Sequence, residues 1–186
     1  MHVVIADTAF VTIVAMAMET YKLECIGMLY GYRCDGGFTI EYSLPHQTAK
    51  RRLSEVNTYD KRLRTAQQAV SSISPLQCIG DYHSHTDYGK SGSWTLPSET
   101  DMKSMREGCI YIVISLERGD GEIKWHQQPT GAILGSIGQT HIRVAAYYRE
   151  KASGPLLASL WVAPGIMLPR GIGCPDRTNR ICETIN

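Results

Sequence analysis

One nearly continuous apolar run, CIYIVISLE at residues 109–117, constrains the fold more than any other part of the 186-residue chain. The run is rich in β-branched residues and lacks the regular alternation of apolar and polar residues that marks a strand with one face in water. It therefore predicts a strand that is buried inside the protein.

Strand and helix patterns alternate along the rest of the chain. Apolar residues from Phe10 to Met18 recur on one helical face, with Asp7 or Thr8 as the possible cap. The other predicted elements are strands at 25–33 and 38–44 joined by a turn at 35–37, a helix at 57–73, a strand at 77–83, a short helix from Ser98, and a strand containing Ile123 and Trp125 after a turn at 119–121. This alternation indicates an α/β fold.

Length and composition predict one globular domain without a nucleic-acid partner. The chain is 43% hydrophobic and 20% charged, and 186 residues are short for two domains. Nineteen Lys and Arg against eighteen Asp and Glu give a formal net charge of +1, so the chain lacks the excess of positive charge that is typical of nucleic-acid-binding domains. The basic segment 50–64 also contains Glu55 and Asp60, which favours an ordinary solvated helix face.

The hydropathy pattern predicts a cytoplasmic protein with no membrane partner. No apolar run approaches the length of a membrane span. The N-terminal residues carry Asp7 rather than a basic stretch, which argues against a secretory signal.

The segment GDYHSHT at residues 80–86 contains two histidines one residue apart. Each could simply end a strand in water, but residues two apart in a strand point to the same face, so His83 and His85 form a chelating pair. Ser98 to Asp101 fits a capping box at a helix start, which Pro97 strengthens. Asp101, in the first turn of that helix, could complete a three-ligand zinc site with one coordination position left for water, as in catalytic zinc sites.

Such a site needs a general base, and Glu24 is the candidate upstream. Glu24 opens the strand-like run from Cys25 to Tyr32, although it could equally be a solvated strand end. Together, Glu24 with the Gly-containing strand, His83-Ser84-His85 and Ser98-Glu99-Thr100-Asp101 resemble the JAMM (MPN+) zinc metalloproteases, in which these elements occur in the same order.

The resemblance covers roughly residues 5–150 and implies a single-domain, deaminase-like curved sheet flanked by helices. We therefore expect a catalytic domain over 1–150 and a C-terminal extension over 151–186, packed on that domain or trailing from it. The resemblance also implies one zinc ion per chain on His83, His85 and Asp101, with Glu24 as general base and Ser98 as hydrogen-bond donor to the oxyanion. The implied activity is hydrolysis after the C-terminal Gly-Gly of a ubiquitin-like modifier or its conjugates.

The chain departs from the usual family pattern between the second histidine and the aspartate. Residues 86–100 make a fifteen-residue segment that is longer than usual and rich in Gly, Ser and Thr. Added loop length costs little entropy, so the ligand geometry can survive it. Tyr88 and Trp94 in this loop are candidate substrate contacts, or they anchor the loop to its own domain.

Other readings of the same motifs remain open. A non-catalytic scaffold module of the same fold would bind rather than cleave, although the complete ligand set argues against it. A RadC-like protein shares His-x-His and Ser-x-x-Asp but fits the Glu-containing strand less well, and a zinc deaminase would supply a Pro-Cys-x-x-Cys pair that is absent here.

The cysteines predict no second metal site, because no Cys-x-x-Cys pair is present. Cys174 and Cys182 fit either a small disulfide loop or two unpaired thiols. Cys25, Cys78 and Cys109 lie in apolar strand contexts, which predicts buried and unreactive thiols.

Overall fold

The computed structural model describes residues 1–47, 50–51, 56–57, 61–86, 96–149 and 154–162. The helices are α1 (Asp7–Glu19), α2 (Lys61–Ile73) and α3 (Glu99–Ser104). The strands are β1 (His2–Ile5), β2 (Ile26–Cys34), β3 (Gly37–Pro45), β4 (Lys50–Arg51), β5 (Val56–Asn57), β6 (Gln77–Thr86), β7 (Ile110–Arg118), β8 (His126–Gln127), β9 (Ile133–Ile137), β10 (Thr140–Arg149) and β11 (Pro155–Val162). The order of elements confirms the predicted α/β class.

Within the described residues the main sheet closes on itself as a barrel. Its strands follow the order β11-β1-β3-β2-β6-β7-β10-β9-β8, and β11 pairs both with β1 in parallel and with β10 antiparallel. The prediction of a deaminase-like curved sheet is therefore corrected in this respect, because the sheet is closed into a barrel. The physical reason is that β11 satisfies the backbone groups that β1 and β10 would otherwise expose as edges.

Helix α1 packs against the inner face of the barrel. Its buried side chains, including Phe10 and Ile13, belong to the same core cluster as residues from every strand of the closed ring. Helix α2 contributes Leu63 to a smaller cluster on the outer face of β2. None of the helices in the described ranges is long and apolar enough to cross a membrane.

Next to the histidines, Gly27 of β2 has no room for a side chain. Gly27 faces Tyr82 across the two strands, and a Cβ atom on Gly27 would collide with the Tyr82 ring and with the Leu44 carbonyl. A glycine is needed here because β2 runs over a large, fully buried aromatic ring. This close approach places the start of β2 beside the His-x-His segment.

Several boundaries differ from those predicted. The strand β6 continues past residue 83 to Thr86, so both histidines lie within it. Val56–Asn57 form β5, and the described part of α2 runs from Lys61 to Ile73. Residues 122–125 do not form a strand. Instead, the Trp125 ring packs edge-on against Phe10 at 5.6 Å between centroids.

The cysteine prediction holds for Cys25, which is buried, and is wrong for Cys78, which is exposed. An irregularity in the β2–β6 register near Tyr30 pairs that residue with Cys78 rather than with Ile79. Ile79 therefore joins the inner core, while Cys78 lies on the outer surface of the sheet. Residue 109 is half-buried.

The C-terminal part of the chain contributes directly to the barrel through β11. The proposed division of the chain at residue 150 stays a prediction. Cys174 and Cys182 lie outside the described residues.

Candidate metal centre

The two histidines share the outer face of β6 near its C-terminal end. His83 pairs with Val113 and His85 with Ser115 in the neighbouring parallel strand β7. The intervening Ser84 points to the opposite face and is fully buried. The two-residue period of the strand thus presents both imidazoles side by side, with 4.9 Å between ring centroids.

Asp101 enters the site from the first turn of α3, where the predicted capping box is present. The Ser98 hydroxyl accepts a hydrogen bond from the Asp101 backbone N–H at 3.1 Å. In return, Oδ2 of Asp101 accepts a hydrogen bond from the Ser98 backbone N–H at 2.7 Å. The reciprocal bonds satisfy two orphan donors of the helix and also hold the carboxylate in one orientation.

The three predicted ligands converge on one point. His83 Nε2 lies 3.1 Å from His85 Nε2, and Oδ2 of Asp101 lies 3.3 Å from the first and 3.5 Å from the second. Tetrahedral zinc with bonds of about 2.0–2.1 Å spaces its ligand atoms about 3.3 Å apart. The donor set and its spacing therefore fit a metal ion such as Zn²⁺.

The electrostatics of the site favour an ionised Asp101. Burial by itself raises the pKa of Asp101, but hydrogen bonds with His83, His85 and Ser98 and the charge on His83 more than offset it. The pKa of that carboxyl group is consequently well below its usual range. An anionic oxygen is thus available at neutral pH, as metal binding requires.

Asp81 is a second carboxyl group on the same face of β6, two residues before His83. Burial raises the pKa of Asp81 to about 6, while His83 and Arg106 act in the opposite direction. Asp81 is not among the site residues predicted from the sequence. A carboxylate two positions before a His-x-His pair in a strand is a local signal that could have identified it.

Backbone pairing places Glu24 next to the His-x-His segment in the fold. The β2–β6 register pairs Ile26 with His83, and Cys25 exchanges hydrogen bonds with Ser84. Glu24, the next residue back, is half-buried and adjoins the His-x-His segment. Its role as general base and that of Ser98 as oxyanion donor stay predictions.

Arg149 was not foreseen as part of the site's support. Its Nη1 donates hydrogen bonds of 3.1 Å to the carbonyl oxygens of both Met102 and Met105. These are orphan carbonyls at the C-terminal end of α3, so Arg149 holds the helix that carries Asp101. The residues lie 44 and 47 positions apart in the chain, and no local pattern reports the contact.

Fold and site together define an α/β barrel protein with a candidate three-ligand metal centre at a strand end. The chain belongs to the family described as prokaryotic homologs of the JAB domain, whose model matches residues 7–127. That span contains Glu24, both histidines, Ser98 and Asp101. The match confirms the predicted resemblance to the JAMM/MPN proteins.

A solved structure is also similar to this chain. It is the solution structure of protein DSY2949 from Desulfitobacterium hafniense, with a TM-score of 0.61 over 87% of this chain and 92% of that chain. The sequences are 15% identical, so the similarity shows the fold alone. No curated protein sequence matches the chain.

Proposed function

We propose that this protein is a zinc-dependent metallopeptidase that cleaves the bond after the C-terminal Gly-Gly of a ubiquitin-like modifier. The observation that carries the proposal is the convergence of His83 Nε2, His85 Nε2 and Asp101 Oδ2 within 3.5 Å of one another. Two neutral imidazoles and one carboxylate leave a site of net positive charge when a divalent ion is held. Family membership supports the same chemistry.

A zinc ion in this site would act as a Lewis acid that acidifies a water molecule and polarises the scissile carbonyl. Glu24 takes a proton from the attacking water and passes it to the leaving amine. The Ser98 hydroxyl uses its oxygen to accept the Asp101 N–H, so its hydrogen remains as a donor for the oxyanion that develops on the carbonyl.

The substrate class follows from the family resemblance. The protein would act on ubiquitin-like modifiers or their conjugates, through isopeptide bonds or linear fusions, in the cytoplasm. We propose no nucleic-acid or membrane partner for this protein. We expect an extended Gly-Gly tail to bind beside the zinc, where a sheet edge or an ordered loop can pair with its backbone and exclude side chains larger than glycine.

A cleavage screen with metal analysis tests the function. Purified protein should contain about one zinc ion per chain, and it should cut linear fusions that carry a Gly-Gly-terminated ubiquitin-like protein directly after the second glycine. Chelation should abolish cleavage, and added Zn²⁺ should restore it. Metal-loaded protein that binds such fusions without cutting them would instead support the non-catalytic scaffold.

Ser98 should matter more for rate than for stability. Ser98→Ala removes the oxyanion donor and should lower kcat by about a hundredfold or more while metal stays bound. Loss of the cap should also reduce the free energy of unfolding by about 1 kcal/mol. The measurements are steady-state kinetics, zinc content and denaturant unfolding.

Ser98→Gly separates the two roles, because glycine is a tolerable N-cap and costs only a few tenths of a kcal/mol. Its rate should fall as far as that of Ser98→Ala. A fully active Ser98→Gly protein would show that the hydroxyl serves the helix alone.

We extend the proposal to Tyr88 and Trp94 of the longer segment, which lie outside the described residues. Trp94→Ala should lower kcat/KM for a ubiquitin-like substrate by about tenfold or more, as truncation of a central aromatic contact does. Zinc content and melting temperature should stay nearly unchanged. The matched control is Trp125→Ala, because the half-buried Trp125 ring packs against the core and its loss should lower the melting temperature. Lower stability of Trp94→Ala with unaltered kinetics would assign Trp94 to the core instead.

A further inference from the structure

Ser84, the residue between the two histidines, makes a hydrogen bond that a strand pair does not normally contain. Its side chain is fully buried and its hydroxyl oxygen accepts the backbone N–H of Cys25 at 2.8 Å. Its own backbone N–H donates to the Cys25 carbonyl at 3.0 Å. One half of this pair is therefore an ordinary ladder bond, and the other half uses a side chain.

The side-chain bond replaces one backbone bond of the ladder between the two chain segments at this point. In a regular antiparallel ladder, residues that exchange two hydrogen bonds use backbone N–H and C=O groups on both sides. Here the Ser84 hydroxyl takes the position of the carbonyl, and the assigned pairing between β2 and β6 ends at Ile26 and His83. Beyond that pair, the N–H of the peptide that joins Glu24 to Cys25 donates to the Ser84 side chain.

We propose that Ser84 is a positioning residue for Glu24, acting through the Cys25 N–H. The inference rests on the proposed function, in which Glu24 is the general base. The same short segment of β6 then holds both imidazoles on its outer face and, from its inner face, the peptide that carries the base. Removing the hydroxyl leaves a buried N–H without this acceptor and releases the base from a defined position relative to the ligands.

The contact itself is tested by amide hydrogen exchange in zinc-loaded protein. In Ser84→Ala the Cys25 amide should exchange at least about tenfold faster than in the wild type, because it loses a buried acceptor. Ser84→Thr keeps the hydroxyl and should restore protection. Ser84→Cys keeps the side-chain volume but offers only a weak acceptor, so its Cys25 amide should also exchange faster than in the wild type. This variant provides the test if Ser84→Ala folds poorly.

The matched control is Ser43→Ala. Ser43 is also a buried serine, but its hydroxyl donates to the Ala9 carbonyl and it pairs with Leu29, three residues along β2 from Ile26. This variant should leave the exchange of the Cys25 amide unchanged. Wild-type exchange of Cys25 in both Ser84→Ala and Ser84→Cys would overturn the proposal.

The link to Glu24 is tested by kinetic measurements that would not change if Ser84 only stabilised the fold. Ser84→Ala should lower kcat by about 10- to 100-fold with KM and zinc content little changed, and Ser84→Thr should recover most of the rate. In a Glu24→Asp background, where the carboxylate is already displaced, the same substitution should cost less than in the wild type. Full additivity of the two losses would overturn the role of Ser84 in positioning Glu24.

A cobalt-loaded protein gives a test that does not depend on turnover. The pH titration of the visible Co²⁺ spectrum should shift in Ser84→Ala in the same direction as in Glu24→Gln, while Ser43→Ala should match the wild type. An unshifted titration in Ser84→Ala overturns the proposal even if the enzyme is active. Failure of wild-type protein to cut any Gly-Gly fusion, with a shifted titration in Ser84→Ala, would count against the proposed substrate and leave the positioning role supported.

Discussion

Replacing Glu24 with glutamine should lower kcat by about 10²- to 10⁴-fold while the protein keeps its zinc. Glutamine has nearly the size of glutamate, so packing at the start of β2 is preserved, but its amide cannot take a proton from water at neutral pH. Glu24 adjoins the segment that holds the ligands and is not one of the three converging groups. Activity should therefore fall while metal content stays unchanged, as measured by single-turnover cleavage and elemental analysis.

Glu19→Gln is a matched control for this substitution. Glu19 is exposed at the end of α1, and its loss changes the net charge by the same amount without touching the site. It should retain wild-type kcat and zinc. A Glu24→Gln protein with full activity would rule out Glu24 as the general base, and one that lost its zinc would place Glu24 among the ligands.

Removing a candidate ligand should lower zinc binding and activity together, unlike Glu24→Gln, which should lower activity alone. His83→Ala, His85→Ala and Asp101→Ala each delete one of three converging donor atoms. Zinc affinity should fall by more than about 100-fold, beyond the 10- to 100-fold typical of changes in outer-shell partners, and activity should fall with it. Competition with a chromophoric chelator measures the affinity directly.

Asp101→Ala also removes half of the capping box, so its stability must be measured separately from its zinc affinity. Asp101→Asn keeps an oxygen that can accept the Ser98 N–H while it removes the charge, so α3 should remain stable and zinc binding should still weaken. His126→Ala and Asp120→Ala change exposed residues outside the cluster and should bind zinc normally. Wild-type zinc affinity in His83→Ala or Asp101→Asn would contradict the assigned ligand set.

The three candidate ligands and most elements near them were predictable because their signals are local. A two-residue period decides that His83 and His85 share a face, and a three-residue spacing decides that Ser98 and Asp101 bond reciprocally at a helix start. The hairpin of β2 and β3 follows from turn residues, of which Gly36 has a φ of 75°. Such features depend on neighbours within one turn or one strand, so the amino-acid order alone determined them.

Other features depend on residues far apart in the chain. Trp125 was predicted in a strand, but its ring packs on Phe10 of the inner helix, and burial of that ring outweighs the local pattern. The Arg149 bonds to α3 and the Ser84 bond to Cys25 join segments 44–59 positions apart. No sequence period reports contacts of this kind.

The α/β class, the His-x-His pair, the capping box and the three candidate ligands follow from residue types and short spacings along the chain. The closure of the sheet through β11, the packing of α1 inside it and the hydrogen bond between Cys25 and Ser84 beside Glu24 depend instead on the tertiary structure. The physical reason is that strand pairing satisfies backbone groups wherever a partner edge is available, and the choice of partner depends on the packing of the whole core.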